Sequence, residues 1–595
     1  MTYSPPLTDM RFILENLCAL GETARLPGFE EVTTDLIDAV LEEAARLAVG
    51  VLAPLNATGD AEGSKLIDGV VRTPDGWKEA YAAFVEGGWN GAAFEPEHGG
   101  MGLPWVVNAA LQEMVHAANM SFGLCPLLNQ GAIEAVALNA SDALKHRFLP
   151  KMVTGEWTGT MNLTEPQAGS DLGAVRTKAE PEGDHYRIIG QKIFITYGDH
   201  DLTENIIHLV LARTPGAPAG MKGISLFVVP KILVAEDGSL LQPNDVRCVS
   251  LEHKLGIHGS PTAVLAFGDN GGAEGYLVGE ENRGIEYMFV MMNYARMSVG
   301  LEGIGVAEAA YQKARDYARE RVQGTPIGMS GGHRAAIVHH PDVRRMLMAM
   351  KAQTEAMRAV AYTTAASIDY TRHPEASVRA HHQARLELLT PVVKGWSTEL
   401  SVELTSLGVQ VHGGMGYVEE TGAAQYFRDA RITTIYEGTT GIQAGDLVGR
   451  KIFRDGGRAA RTLIAEMREL DSRLAANDDP AWSVLRSALA SGADALSQVV
   501  DWILAVTKAA PRLPAIASVN VLRLFGTVVG GYQMARAALA AKALLDAGNG
   551  DAGFLSAKIV TARIYAEQVM PQLHGLLPTI VGSSESVMAL SEEQL

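Results

Sequence analysis

From Thr33 onward Leu36, Val40, Leu41, Ala44, Leu47, Ala48 and Val51 recur at helical spacing, with Asp35, Asp38, Glu42 and Glu43 on the opposite side. The pattern predicts further helix through about Pro150, interrupted by the loop EPEHGGMGLP. Between Trp157 and about Gly279 the texture changes to short β-rich runs. HYRIIGQKIFIT, NIIHLVLART, GISLFVVP and TAVLAFGD are the clearest, separated by turn pieces such as PEGD, PGAPAG, EDGS and DNGG. Helical spacing returns from Gly284 through Arg321, then from His340 to Tyr370, Glu375 to Gly408 and Gly441 to Phe453. Long helices joined by short loops predict an antiparallel bundle, and Pro391 predicts a kink or break in the third of them. After Asp455-Gly456-Gly457 the chain stays helical in pattern, rich in Ala, Leu and Val, to its last residues. The expected division is an N-terminal extension (1–32), a helical domain (33–156), a central β domain (157–280), a helical bundle (281–455) and an additional helical domain (456–595). The fold class expected is α+β, mainly α.

Composition narrows the function classes. With 595 residues, 47% hydrophobic and 20% charged, the chain is a globular protein of roughly four domain-sized units. Cys18, Cys125 and Cys248 form neither a C-x-x-C pair nor a disulfide framework, as expected in a reducing compartment. The first residues, MTYSPPLTDMRFILENL, lack a basic region followed by an apolar one, and the apolar run GISLFVVPKILVA is cut by Pro230 and Lys231. A cytoplasmic location is expected. A net charge of −18 argues against nucleic acid and anionic membrane as partners, but leaves room for an anionic small ligand in a local basic pocket.

The candidate chemistry centres on RITTIYEGTTGIQ, Arg431 to Gln443. Glu437 is a lone carboxylate near Ile432, Ile435 and Ile442, a setting expected to raise its pKa toward that of a base working near neutral pH. Gly438 permits close backbone approach, and Thr439 and Thr440 suit the cap of a following helix. Taken alone, Glu437 reads more readily as an ordinary acid in a helical first turn, favoured by the helix dipole, than as a base.

Three further stretches carry chemistry. MNLTEPQAGSD, Met161 to Asp171, offers hydroxyls and backbone N–H groups around a Pro turn, as a pyrophosphate or polar ring edge requires and as any tight turn also provides. In KIFIT, Phe194 and Thr196 would share one face of an alternating strand, suited to a flat heteroaromatic ring and equally to a half-buried strand. QVHGGMGY ends a helix in glycines. Its His412 is more often structural than a base, about two to one. No Rossmann fingerprint, Walker motif or metal-ligand spacing is present.

Together NLTEPQAGSD, QKIFIT, the arginine of ARERVQG, QVHGGMG and IYEGTTGIQ resemble, in order and spacing, the acyl-CoA dehydrogenase family over about Leu36 to Phe453. The resemblance implies an N-terminal helical domain, a central β domain and a C-terminal four-helix bundle, with FAD between the last two and an acyl-CoA thioester against the flavin. Met161, Leu163, Thr164, Phe194, Thr196 and Thr439 would contact the flavin, and Gly169 and Ser170 its pyrophosphate, Ser170 also the substrate. Arg321, Gln410 and Gly414 would reach the ADP part of an FAD held by a neighbouring subunit, implying a homo-oligomer, dimer or tetramer. Asn293 and Arg296 would face the CoA portion, although polar residues on a helix surface read the same way, and Tyr436 and Gly438 would flank the substrate. The implied reaction is α,β-dehydrogenation with Glu437 as base and an electron-transfer flavoprotein as acceptor.

The chain departs from the family's shorter members in its N-terminal extension, the long turn after Thr196, Gly324 after the arginine, the insertion GTPIGMSGGHRAAIVHHP and the block after Gly457. These features resemble a long bacterial subgroup that includes the 3-methylmercaptopropionyl-CoA dehydrogenases of dimethylsulfoniopropionate breakdown. Similar long chains serve fatty acyl-CoA oxidation, and an O2-using acyl-CoA oxidase is a remoter alternative. Met288, Met291 and Met292 on the bundle helix read as core filling rather than as a thioether signal.

Overall fold

The computed structural model describes residues 3–328, 333–476 and 480–595. The main sheet of its central β domain, beside a small two-stranded sheet of Ile232–Val234 and Leu240–Pro243, has eight strands: β1 (Trp157–Asn162), β2 (Lys178–Glu182), β3 (His185–Thr196), β4 (Asn205–Ala212), β5 (Ser225–Pro230), β6 (Val246–Leu251), β7 (Thr262–Phe267) and β8 (Ala273–Val278). They order as β6-β7-β3-β8-β5-β4-β1, with β2 paired to β3. All pairs are antiparallel except β1 with β4. β4, β5 and β7 are buried at every residue, so their near-continuous apolar runs follow from having both faces covered.

β1 was not legible as a strand because its residues, Trp-Thr-Gly-Thr-Met-Asn, are largely polar, yet all six are buried. Thr158 and Thr160 pair with His200 at 2.9 Å and His208 at 2.7 Å, and the Asn162 amide donates to the Thr160 hydroxyl at 2.8 Å. Hydrogen bonding offsets the cost of burying them.

Helices make up most of the rest of the described chain. In chain order they include α1 (Leu7–Asn16), α2 (Trp105–Ala118), α3 (Met120–Asn139), α4 (Gly284–Glu320), α5 (Pro341–Tyr370), α6 (Ala376–His412), α7 (Ala423–Thr433), α8 (Thr440–Asp446), α9 (Arg458–Ala475), α10 (Pro480–Val506), α11 (Arg512–Asp546) and α12 (Ala552–Ile564). The helix expected from Gly441 to Phe453 is α8 continued by a π-helical stretch, Leu447–Phe453. α4 is the axle of the bundle, buried at every residue from Tyr294 to Ala310. Of the kink or break expected at Pro391, the break does not occur: α6 runs through it for 37 residues, and the Thr390 hydroxyl donates to the Leu386 carbonyl at 2.7 Å just before the missing N–H. Of the insertion GTPIGMSGGHRAAIVHHP, residues 329–332 lie outside the described residues.

The ends of the chain join the same core. Asp9 on α1 accepts from Arg358 of α5 at 2.8 Å and from Lys558 of α12 at 2.6 Å, and Arg358 also holds Glu113 and Glu308. Burial pushes the Asp9 carboxyl up, but Lys558 and Arg358 outweigh it and hold it down at about 2. α10 and α11 are long and apolar enough to cross a membrane by length and composition alone, though the α11 window is 67% buried inside the protein. Here α11 packs on α6, with Gly526 and Gly530 over the buried Trp396.

A Cβ at Gly526 would lie 2.2 Å from Trp396 Cγ. Helix propensity favours Gly526→Ala by about 1 kcal/mol, while overpacking costs about 1–3 kcal/mol, so packing wins. The variant is expected to lower the thermal unfolding midpoint, as calorimetry would read.

Candidate active site

The chain leaves α7 through two backbone bonds to Ile432, from the N–H of Ile435 at 2.9 Å and of Tyr436 at 3.2 Å. It then turns sharply. Glu437 has φ 53° and Gly438 φ 86°, and the Thr439 hydroxyl accepts from the Ile442 N–H at 3.3 Å to start α8. Glu437 therefore precedes the helix rather than occupying its first turn. A left-handed non-glycine residue is strained, and such residues persist where surrounding bonds hold them.

Those bonds come from the bundle. The Tyr436 hydroxyl donates to Glu302 on α4, and Lys394 Nζ on α6 donates to the Gly438 carbonyl at 2.7 Å. The Gln443 amide donates to the Glu437 and Gly438 carbonyls at 3.2 and 3.4 Å. The Glu437 N–H has no partner among the described residues.

Glu437 is half-buried, and its carboxyl is pushed up to about 7 by burial, against the pull of Lys394 and Arg296. Of the apolar neighbours expected from the sequence, Ile435 and Ile442 are 47% and 41% exposed and Ile432 is half-buried against the core. Beneath Glu437, burial pushes Glu302 up to about 8 and Lys394 down to about 8.

Arg296 is buried rather than on a helix surface. Its Nη1 lies 3.4 Å from Asp446 and 3.4 Å from the exposed Asn293. It lines a cavity of about 310 Å³ together with Trp105, Glu134, Asn293 and Lys451.

The two β-domain motifs meet through a pair that the sequence reading passed over. Lys192 Nζ donates to the Leu163 carbonyl at 3.1 Å and to Glu165 at 2.8 Å, both side chains being buried. Glu165 also accepts from the N–H groups of Arg176 at 2.7 Å and Thr177 at 3.1 Å. Burial pushes its carboxyl up, but Lys192 and these donors hold it at about 2. Both residues stood inside the quoted motifs, and a carboxylate beside a turn with a lysine on the next strand was the available signal.

Met161 and Leu163 are buried, Thr164 and Thr196 half-buried, and Gly169 and Ser170 exposed. The plain alternation expected for KIFIT is broken. Register shifts between Leu265↔Lys192 and Ala263↔Ile195, a bulge that leaves Phe194 at φ 59° and 58% exposed.

Arg321, Gln410 and Gly414 are exposed at the ends of α4 and α6, away from Glu437. Arg321 lies 19 residues along from Glu302, about 28 Å at 1.5 Å per residue. His412 stacks on Tyr317 at 4.4 Å and bonds to the Gly408 carbonyl at 2.7 Å, a structural arrangement.

An FAD fits these residues: Phe194, Ile435 and Ile442 are large apolar side chains left exposed, and the buried Asn162 Oδ1 and Gln443 Oε1 lack hydrogen-bond partners among the described residues.

Family models match nearly the whole chain: acyl-CoA dehydrogenase N-terminal domain at 36–156, middle domain at 160–270 and C-terminal domain at 282–452, then an acetyl-CoA dehydrogenase C-terminal-like domain at 463–591. The chain is 50% identical over 592 residues to a 3-methylmercaptopropionyl-CoA dehydrogenase of Ruegeria pomeroyi, covering 99% of this chain and 100% of that one. It is 35% identical to a butyryl-CoA dehydrogenase of Syntrophomonas wolfei, with 99% of each covered. The fold matches an acyl-CoA dehydrogenase complexed with FAD from Bacillus anthracis at TM-score 0.75 and 21% identity, covering 94% of this chain and 90% of that one. With ordered motifs, three-part architecture and full-length similarity in agreement, this chain belongs to the acyl-CoA dehydrogenase family.

Proposed function

We propose that this acyl-CoA dehydrogenase converts a short acyl-CoA thioester to its 2-enoyl-CoA, with the 3-methylmercaptopropionyl ester as first candidate and Glu437 as the base. The observation that carries the reading is the Glu437 carboxyl, half-buried, raised to about 7 and next to an N–H without a partner among the described residues. A base of that pKa is ionised in useful amount at neutral pH and basic enough to take a proton. Glu437 would remove the proton from the carbon beside the thioester carbonyl, and its own N–H would receive the carbonyl oxygen as negative charge develops there.

Met161, Leu163, Thr164, Phe194, Thr196 and Thr439 would hold the flavin ring, with Gly169 and Ser170 at the pyrophosphate. FAD, when bound there, supplies the acceptor for the hydride leaving the β-carbon. Tyr436, Gly438, Asn293 and Arg296 would line the substrate's path, and Ser170 would touch it as well. Arg321, Gln410 and Gly414, exposed and a helix length from Glu437, suit the ADP part of an FAD bound mainly by a second copy, so the working form is an assembly of at least two chains. Electrons would pass on to an electron-transfer flavoprotein. The three cysteines are unpaired and buried, which supports a cytoplasmic setting.

A linear fatty acyl ester of similar length is the second reading, favoured by the butyryl-CoA relative. A thioether sulfur and a methylene fill similar space, so rates with a panel of acyl-CoA esters and a dye acceptor decide between them. The 3-methylmercaptopropionyl ester is expected to have the highest kcat/KM; a preference for long chains would overturn this reading.

Glu437→Gln is expected to keep FAD absorbance and lose on the order of 100-fold or more in turnover, and unchanged turnover would move the base elsewhere. Because the base must be ionised, kcat/KM of the native enzyme should rise with pH through about 7 and then level. In air the reduced flavin should reoxidise slowly, whereas an oxidase would do so within its turnover time.

A further inference from the structure

The turn that carries Glu437 is gripped on both sides by ionisable groups buried in the bundle. Tyr436, just before it, donates its hydroxyl to Glu302 of α4, a side chain with no exposed surface whose second oxygen has no partner among the described residues. Gly438, just after it, has its carbonyl held by Lys394 of α6 at 2.7 Å, again with no exposed surface. Between these anchors Glu437 sits at φ 53°. A buried carboxyl and a buried ammonium are expensive in a helical core, and apolar residues of similar volume pack there at lower cost. Their presence calls for a role.

Ionisable groups face this turn from four helices, and α7 supplies Asp429, whose charge acts on Tyr436. α4 supplies Arg296 and Glu302, and α6 supplies Lys394 and Glu399, the latter holding the Thr440 hydroxyl. α8 supplies Asp446, which holds Arg296, and Arg450 follows it in the next turn. Of these, Lys394 and Arg296 favour the charged form of Glu437.

We propose that Glu302 and Lys394 are positioning residues that fix Glu437 through its two sequence neighbours, Glu302 by way of the Tyr436 hydroxyl and Lys394 by way of the Gly438 carbonyl, with Lys394 also supplying the opposing charge. The inference rests on Glu437 being the base.

The two roles separate experimentally. Glu302 acts by geometry: burial keeps it neutral up to about 8, so it holds Tyr436 without contributing a full charge while Glu437 ionises. Glu302→Gln keeps an acceptor for the Tyr436 hydroxyl, Glu302→Ala removes it, and Tyr436→Phe removes the donor. Lys394 acts by geometry and charge. It draws the Glu437 pKa down, so removing it moves the ionisation to higher pH.

The test is anaerobic flavin reduction by the acyl-CoA ester in the FAD-loaded enzyme as a function of pH, with amide exchange of residues 435–441 measured on the resting enzyme. Tyr436→Phe and Glu302→Ala are expected to lower the plateau rate on the order of 10- to 100-fold with the acid limb unmoved and to speed exchange in the turn. Glu302→Gln should recover most of the loss, and the Tyr436→Phe/Glu302→Ala double variant should be little worse than either single one. Lys394→Met should move the acid limb up by about one pH unit or more.

Native plateau and exchange in Tyr436→Phe, an unmoved limb in Lys394→Met, or failure of these variants to hold FAD would each overturn the proposal. A native enzyme with no acid limb at all would instead overturn Glu437 as the base, and the anchors with it.

Discussion

Desolvation of a carboxyl inside a helical bundle is the constraint on which the site depends. In water a glutamate is too weak a base to remove a proton beside a thioester carbonyl. Moving it among packed helices raises its proton affinity, but unopposed burial would leave it neutral and useless. Here the opposition is supplied by Lys394 and Arg296, and the balance falls at about 7. The same bundle supplies the base's strength and its restraint.

That balance explains features of the architecture with no evident bearing on chemistry. α4 is buried over most of its middle because helices of the N-terminal domain and the bundle close on it from opposite sides, and so it can carry Arg296 and Glu302 away from bulk water. α11 packs on α6 across Trp396, and its Leu522 lies over Gly395, the residue after Lys394. α1 and α12 are tied to α5 by Asp9, Arg358 and Lys558. The segments that lengthen this chain therefore thicken the wall around the site rather than form a detached module.

Much of this was legible in the residues. Period-3.6 and period-2 patterns marked the long helices and the four most apolar strands, because those elements bury regular faces. β1 escaped because its threonines are satisfied by histidines distant in sequence, and the Phe194 bulge because strand alternation says nothing about register slips. At the site, Glu437 stood out for its glycine and threonine neighbours. Glu302 and Lys394 did not: the Tyr436–Glu302 bond spans 134 positions and leaves no local pattern. Glu165 and Lys192 lay in view within their motifs, yet only the folded chain shows them joined.

The decisive quantity is the ionisation of one carboxyl. Difference infrared spectroscopy of the FAD-loaded enzyme, native minus Glu437→Gln, would follow the carboxyl band of that residue directly through a pH titration. A protonated carboxyl that disappears around pH 7 is expected. A band already lost by about pH 4.3, the ordinary value for an exposed glutamate, would mean that the bundle does not tune this side chain and that the base lies elsewhere.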